Sequence, residues 1–221
     1  IAEVADSVTV LRNGKLIATT PLKNLTEQDI VAQMVGNDVQ LTQIEPRSFT
    51  DSPVVLHAED LSIPERIEHV NFELHAGEVL GLAGLLGTGR SEILRTIAGF
   101  LPVKRGRVQL ANGGSHQHNI RHMIAQGVAL VPENRREEGV IPFLGIHENV
   151  AMGRWKQVTQ AGMISWQRVR DVMADLIQKL SIKTPTLETP VMNLSGGNQQ
   201  KVVIGRWLEV ADRVLLLDEP T

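Results

Sequence analysis

The chain has 221 residues, a 42% hydrophobic share, a net charge of −3 and no cysteine, which allows one α/β domain and a little more. It can form neither disulfides nor thiolate metal sites, and a pI near 6.2 argues against a nucleic-acid-binding face. No apolar run approaches the roughly 20 residues needed to cross a bilayer, and the acids among Ile1–Asp6 do not fit a signal peptide.

Val8–Leu11 and Leu16–Thr19 flank Arg12-Asn13-Gly14-Lys15, and Asn-Gly between two β-prone runs predicts a hairpin. Thr26-Glu27-Gln28-Asp29 resembles a capping box, followed by a short helix from Ile30 to Val35 with Gly36 as its stop. A hairpin and one helix cannot bury a core alone, so residues 1–40 are expected to belong to a larger domain that starts earlier. Residues 37 to 53 are polar, with Pro46 and Pro53, and 41–53 reads as a linker.

A second domain is expected over 54–221. Val54–Glu59 starts a set of strands, and Val70–His75 alternates as a strand with one wet face does. Glu78-Val79-Leu80-Gly81-Leu82-Ala83 reads as a strand feeding Gly84-Leu85-Leu86-Gly87-Thr88-Gly89-Arg90-Ser91, and Glu92–Gly99 reads as a helix. Strand, Gly-rich turn and helix start are the parts of a phosphate cradle: glycines let backbone N–H groups approach the ligand, and the helix N-terminus favours negative charge. The pattern G-x-x-x-x-G-K-[S/T] is met except that Arg90 holds the lysine position.

Gly106–Leu110 and Gly127–Val131 read as further strands. Between them His116 and His118 lie in a Gly/Asn/Ser loop with no carboxylate or cysteine to complete a metal set, so a solvated loop is expected. Asn134–Glu138 is mixed charge and also reads as a solvated loop. Ser165 to Leu180 is an amphipathic helix with Val169, Val172, Met173, Leu176 and Leu180 on one face, and Trp155 and Trp166 are read as packing anchors beside it. Leu194-Ser195-Gly196-Gly197-Asn198-Gln199-Gln200-Lys201 opens a helix running through Ala211. Taken alone, Ser195 reads as an N-cap before it reads as part of an anion-friendly helix start.

Val214-Leu215-Leu216-Leu217-Asp218-Glu219 is an apolar run ending in acids, as a parallel strand buried on both faces would be. Carboxylates at such a strand's carboxyl end sit where α/β sheets bind ligands. Asp218 with the Ser91 hydroxyl would hold Mg²⁺, and Glu219 would polarise an attacking water as general base. An acidic strand terminus without a ligand is the plain alternative.

The three stretches in this order carry a resemblance. Gly84–Ser91 looks like the Walker A loop, Leu194–Lys201 like the signature motif and Leu215–Glu219 like the Walker B strand of ABC-type ATPases. Gly81–Glu92, Val131-Pro132-Glu133-Asn134-Arg135 and Asn198–Lys201 resemble one subgroup, the double ATPase subunits of bacterial monosaccharide importers of the ribose, galactose and xylose type. The likeness is to their second ATPase half, and residues 1–40 resemble the end of the first.

The resemblance implies an α/β P-loop NTPase fold of the ABC type, with a remnant of a preceding ATPase domain at 1–40 and the second domain cut after Walker B. It implies ATP and Mg²⁺ as cofactors. Gly84, Gly87, Thr88, Gly89, Arg90, Ser91, Glu92 and Glu133 would bind the chain's own nucleotide. Ser195, Gly196, Gly197 and Gln199 would clasp the ATP of a facing first domain, Ser91 and Asp218 would hold the metal, and Glu219 would be catalytic. The implied partners are that first ATPase domain, transmembrane permease subunits and, indirectly, a periplasmic sugar-binding protein, with no nucleic acid, at the cytoplasmic face of the inner membrane.

Three departures from the wider family lower the expected turnover of the chain's own site. Arginine at 90 is a bulky planar fork where a compact lysine is usual. Glu133 stands where most members carry glutamine, and Leu61–Glu65 lacks the usual adenine-stacking aromatic. The family's switch histidine would lie beyond Thr221, so the isolated chain is expected to be inactive. The reading set against the importer is a soluble ABC-type clamp acting on ribosomes or nucleic acid, which usually keeps the lysine and carries a basic surface.

Overall fold

A computed structural model of the chain describes residues 5–12, 14–35, 47–63, 66–85, 87–111, 113–208 and 210–220. It divides into two compact units, residues 1–48 and 49–221. Asn13, Gly36 and residues 41–46 of the expected linker lie outside the described residues.

In the first unit, β1 (Ser7–Arg12) and β2 (Lys15–Pro21) pair antiparallel, and Gly14 takes φ +74 at the turn. α1 (Glu27–Val35) begins a turn earlier than the apolar pattern indicates. The capping box explains this: the Asp29 N–H donates to the Thr26 hydroxyl over 3.2 Å while the Thr26 N–H donates to the Asp29 carboxylate over 2.8 Å, drawing Glu27 and Gln28 into the first turn. Val10 is buried, whereas Leu11, Leu16, Val31 and Met34 are exposed.

The second unit continues with β3 (Val54–Ile63), β4 (Ile67–His75), α2 (Arg90–Ile97), β5 (Arg105–Leu110), α3 (Ile120–Ala125), β6 (Val128–Val131), α4 (Ile146–Gly153), α5 (Trp155–Val158), β7 (Thr159–Gln160), β8 (Met163–Ile164), α6 (Trp166–Leu180), α7 (Gly196–Trp207) and β9 (Val214–Leu217). β3 is the centre of an antiparallel sheet in the order β4-β3-β5, and β6 pairs with β9 in parallel from Val128↔Val214 to Val131↔Leu217.

Two apolar cores result. Leu56, Ala58 and Leu61 of β3 pack with Val108 and Leu110, Ile93 and Ile97 of α2, and the inward residues of β6 and β9. The second core joins Ile146 and Val150, Met173 and Leu176, and Val202 and Val203, bringing α4, α6 and α7 together. The face read on α6 is the one it buries, with Val169, Met173 and Leu176 fully enclosed, and Ser165 caps it by accepting from the Arg168 N–H. Trp155 and Trp166 are both half exposed; Trp166 sets its edge against His147, with ring centroids 5.3 Å apart.

Four expectations need correcting. Residues 78–83 form no strand, and Val79 is 94% exposed. A strand's N–H and C=O groups need a neighbouring edge, but an apolar cavity of about 590 Å³ lies between this run and β9, lined by Val79, Leu80, Leu82, Leu215 and Leu217. For the same reason β9 is not enclosed on all sides: Val214 and Leu216 are buried and Leu217 is exposed. Arg135–Gly139 is a π turn rather than an open loop, tied down by Arg95 Nη2, which donates to both Glu138 carboxylate oxygens over 2.7 and 2.9 Å. Finally, α7 stops at Trp207, short of Ala211.

Candidate functional site

The Gly-rich loop is shaped by contacts that only small residues permit. Gly87 and Gly89 take φ +82 and +89, the left-handed region that side chains disfavour. A Cβ on Gly89 would stand 2.6 Å from Ile67 Cγ1 at the start of β4, and one on Gly84 would stand 2.5 Å from the Thr88 hydroxyl. That hydroxyl donates to the Leu85 carbonyl over 2.8 Å, which pins the turn. α2 begins immediately afterwards, with Gly89 as N-cap and no side-chain cap, so its first-turn N–H groups stay available to an anion. Glu92 in that turn pairs instead with Arg66, Nη1 to Oε1 2.6 Å.

The loop meets the carboxyl end of β9 through two side-chain bonds. Ser91 Oγ donates to Asp218 Oδ1 over 2.9 Å, and Arg90 Nη2 donates to Glu219 Oε1 over 3.1 Å. Asp218 is only 4% exposed, and Glu219 takes φ +43 directly after the strand. The parallel register with β6 brings Pro132 and Glu133 to the same end, where the Asp218 N–H donates to the Val131 carbonyl over 3.0 Å. Arg90, Ser91, Glu133, Asp218 and Glu219, distant in sequence, therefore share one end of the sheet.

Residues 67–221 match the ABC transporter family, the greater part of the chain. The chain belongs to that family. Its ABC relatives include an uncharacterized ABC transporter ATP-binding protein, YphE, of Escherichia coli (strain K12), 38% identical over 222 residues that cover all of this chain and 44% of the relative. The ribose import ATP-binding protein RbsA of Geobacillus kaustophilus is 38% identical over 221 residues, and the galactose/methyl galactoside import ATP-binding protein MglA of Mannheimia succiniciproducens 40% over 225; each is covered to 44%. The chain thus spans less than half the length of these relatives. Among solved structures, the dimeric ATP-binding cassette MJ0796 bound to ADP and phosphate superposes with a TM-score of 0.61 at 22% identity, over 75% of this chain and 74% of that one. A nucleotide-free ABC cassette gives 0.60 at 19% identity, over 76% and 70%. Both show the fold: this is an ABC-type P-loop NTPase.

The second ABC motif lies at the start of α7. Ser195 occupies the N-cap with extended backbone yet caps nothing. Its oxygen accepts from Asn198 Nδ2 over 2.9 Å, and the Asn198 carbonyl accepts from the Lys183 N–H over 2.8 Å. Arg135 lies alongside, and a Cβ on Gly196 would stand 2.7 Å from its Nη2. Gln199, expected among the clasping residues, turns inward: it is 3% exposed, and its amide nitrogen donates to the carbonyls of Val191 and Leu194 over 3.2 and 3.0 Å. One residue along a helix is about 100° around it, so Asn198 and Gln199 cannot share a role. The motif's spelling carried no signal to separate them.

The residues suit a nucleoside triphosphate with a divalent cation. Uncapped N–H groups behind two glycines offer donors to phosphate, and a hydroxyl and a carboxylate 2.9 Å apart are the hard oxygen ligands such a cation takes. Among the described residues no group of three or more His, Cys, Asp or Glu gathers that could hold a metal ion. His116 is half buried, and burial lowers its pKa below the usual histidine value.

Proposed function

We propose that this chain is part of an ATP-binding and ATP-hydrolysing subunit that energises import of a sugar, its own site turning over slowly while the start of α7 completes the ATP site of a facing ATPase domain. The observation that carries the reading is the junction of the uncapped loop with β9, where Ser91 bonds Asp218 and Arg90 bonds Glu219. The sugar class follows from the import proteins it resembles. By the same likeness the working assembly pairs it with a first ATPase domain, with transmembrane permease subunits and, through them, with a periplasmic sugar-binding protein. It would lie peripherally at the cytoplasmic face of the inner membrane. No helix among the described residues is long and apolar enough to cross a membrane.

In this reading the N–H groups after Gly87 and Gly89 and the Arg90 guanidinium hold the β- and γ-phosphates, while Thr88 and Glu92 keep the loop's shape. Ser91 and Asp218 supply ligands for Mg²⁺. Bound there, Mg²⁺ would neutralise charge on the phosphates. Glu219 accepts the proton of the attacking water. Arginine in place of lysine preserves charge but sets a planar fork in the loop, so affinity is retained more than transition-state alignment. Glu133 adds a negative charge at the same end, which further disfavours the triphosphate. Ser195, Gly196 and Gly197 present the anion-facing edge to the partner's ATP, with Asn198 rather than Gln199 beside them.

ATP turnover by the complete subunit tests the division of labour. Ser195→Arg is expected to abolish most of the turnover and Arg90→Ala to remove only a minor part. If Arg90→Ala silenced the subunit while Ser195→Arg left it unchanged, the assignment of slow and fast sites would be wrong.

A further inference from the structure

Arg90 and Glu219 are 129 positions apart, and each is drawn as a ligand-facing group by the reading above, yet here they bind each other. The Glu219 backbone sits at φ +43, a region a glutamate leaves readily unless its surroundings hold it. On the side-chain side, the contact that holds it is Arg90 Nη2 to Oε1, 3.1 Å. This contact is looser than the arginine–glutamate pair one helix turn away, in which Arg95 reaches both Glu138 oxygens at 2.7 and 2.9 Å. Arg90 and Glu219 are also 32% and 45% exposed, so water and ions screen the attraction. A single, screened bond on a strained residue is a bond that a stronger anion can displace.

We propose that Arg90 is a latch on Glu219: in the nucleotide-free protein it holds the carboxylate across the mouth of the Gly-rich loop, and a phosphate that takes the guanidinium releases Glu219. This deepens the proposed function and rests on the loop binding phosphate. A guanidinium bonds phosphate through two N–H groups at once, where the carboxylate here receives one. Phosphate therefore wins the competition, and part of its binding energy goes into opening the latch. Arg90 acts on Glu219 as a positioning residue. The consequence is order: Glu219 stays withdrawn until a ligand with a phosphate in reach of Arg90 is seated.

The neighbouring Ser91–Asp218 bond does not share this behaviour. Asp218 is buried and follows β9 in regular pairing, its N–H on the Val131 carbonyl, so it stays in place whether or not the latch is shut.

A four-member cycle of wild type, Glu219→Gln, Arg90→Gln and the double variant tests the latch by calorimetric titration with ATP without magnesium, carried to millimolar nucleotide, and with AMP as the short ligand. With Arg90 present, Glu219→Gln is expected to tighten ATP about two- to fivefold, the range of an exposed ion pair, and to leave AMP unchanged. In the Arg90→Gln background the gain should vanish. An equal gain in both backgrounds would mean simple charge repulsion between Glu219 and phosphate, and no gain in either would mean no latch; both overturn the proposal. The same four proteins unfolded by urea without ligand provide an independent readout: the two changes should be non-additive, and additivity overturns the latch. If the wild type bound no nucleotide, the phosphate-loop reading would fall, while the urea cycle would still decide whether the pair is formed.

Discussion

The junction of the Gly-rich loop with β9 and the helical region from α4 to α7 belong to one folded unit but are held in opposite ways. The junction rests on two side-chain bonds, one of them between half-exposed groups. In the helical region Asn149 is fully buried and spends its whole side chain: its carbonyl accepts from the Ile141 N–H and Arg206 Nη2, and its amide donates to the carbonyls of Ile141, Leu144 and Gly145. Arg206 Nε adds a bond to the backbone carbonyl of Asn149, and buried Arg154 donates to the backbone carbonyls of Gly205 and Leu208. Burial is severe enough there to bring the Arg206 pKa down to about 10. Satisfied polar groups in a low-dielectric interior rigidify the elements they join. The junction is more open, its Arg90–Glu219 bond lying between partly exposed groups.

Breaking the helical network should therefore cost the most. Asn149→Ala takes the Oδ1 partner from Arg206 Nη2 and leaves several buried backbone groups unmatched at once, while the Arg206 Nε bond to the backbone at 149 survives. An expected loss of about 4 kcal/mol follows from leaving buried polar groups unpaired. Urea denaturation with the midpoint as readout checks this. A loss no larger than that of Arg90→Gln would erase the contrast between the regions.

Next comes a tightly packed place in the Gly-rich loop. Gly89→Ala places a methyl group in the left-handed region and against Ile67, and is expected to cost about 2 to 3 kcal/mol through strain and contact together. Pairing it with Ile67→Val should recover part of the loss if the contact matters, and none if backbone strain alone is responsible.

Ser91→Ala leaves the buried Asp218 carboxylate without its hydroxyl and should cost about 1.5 kcal/mol. Arg90→Gln should stay under about 1 kcal/mol because its partner is exposed. On the proposed function both are expected to weaken ATP binding at least about tenfold, since each would remove a direct phosphate or metal ligand. Small stability effects with large binding effects would sharpen the contrast, whereas parallel losses in both measurements would show that these residues serve the fold first.

The same contrast decides what could be read from the chain. Gly84–Ser91 and Asp218-Glu219 stand out in the sequence because phosphate chemistry demands particular residue types at fixed spacing along a continuous stretch, and the structure brings Arg90 and Ser91 to Glu219 and Asp218. Helices such as α6 are legible because burial imposes a period. Arg154 and Arg206 escape a reading of the sequence because their bonds run to backbone carbonyls far along the chain, and Asn149 because an asparagine in a helix has the same spelling whether it faces water or the core. The run 78–83 misled for a related reason: apolar composition signals willingness to pair, but a strand exists only where an edge lies alongside. The inward turn of Gln199 lies at a finer grain, because a motif fixes the order of residues and not which of two neighbours is buried.

The smallest effect is one of pH and lies apart from the two regions. His116 sits outside both, and burial is the main reason its pKa lies below the ordinary value, with the charge of His118 acting in the same direction and the ring's hydrogen bond to the Thr96 backbone opposing them. An unfolded histidine titrates near about pH 6.5. Below that the unfolded chain takes up a proton that folded His116 declines, so the unfolded state is favoured as pH falls. The stability His116 permits is thus complete above about pH 6.5 and declines from there toward its lower folded pKa. Asp29, Asp60 and Glu188 are also lowered, Asp60 chiefly by its bond to His69 and then by Arg105, but a depressed carboxylate loses its contribution only below about pH 4.5. Between pH 7.5 and 5.5, His116→Gln should therefore flatten the fall of the urea midpoint. An unchanged slope would assign that window to the other histidines, and a steeper one would mean that His116 gains rather than loses by protonation.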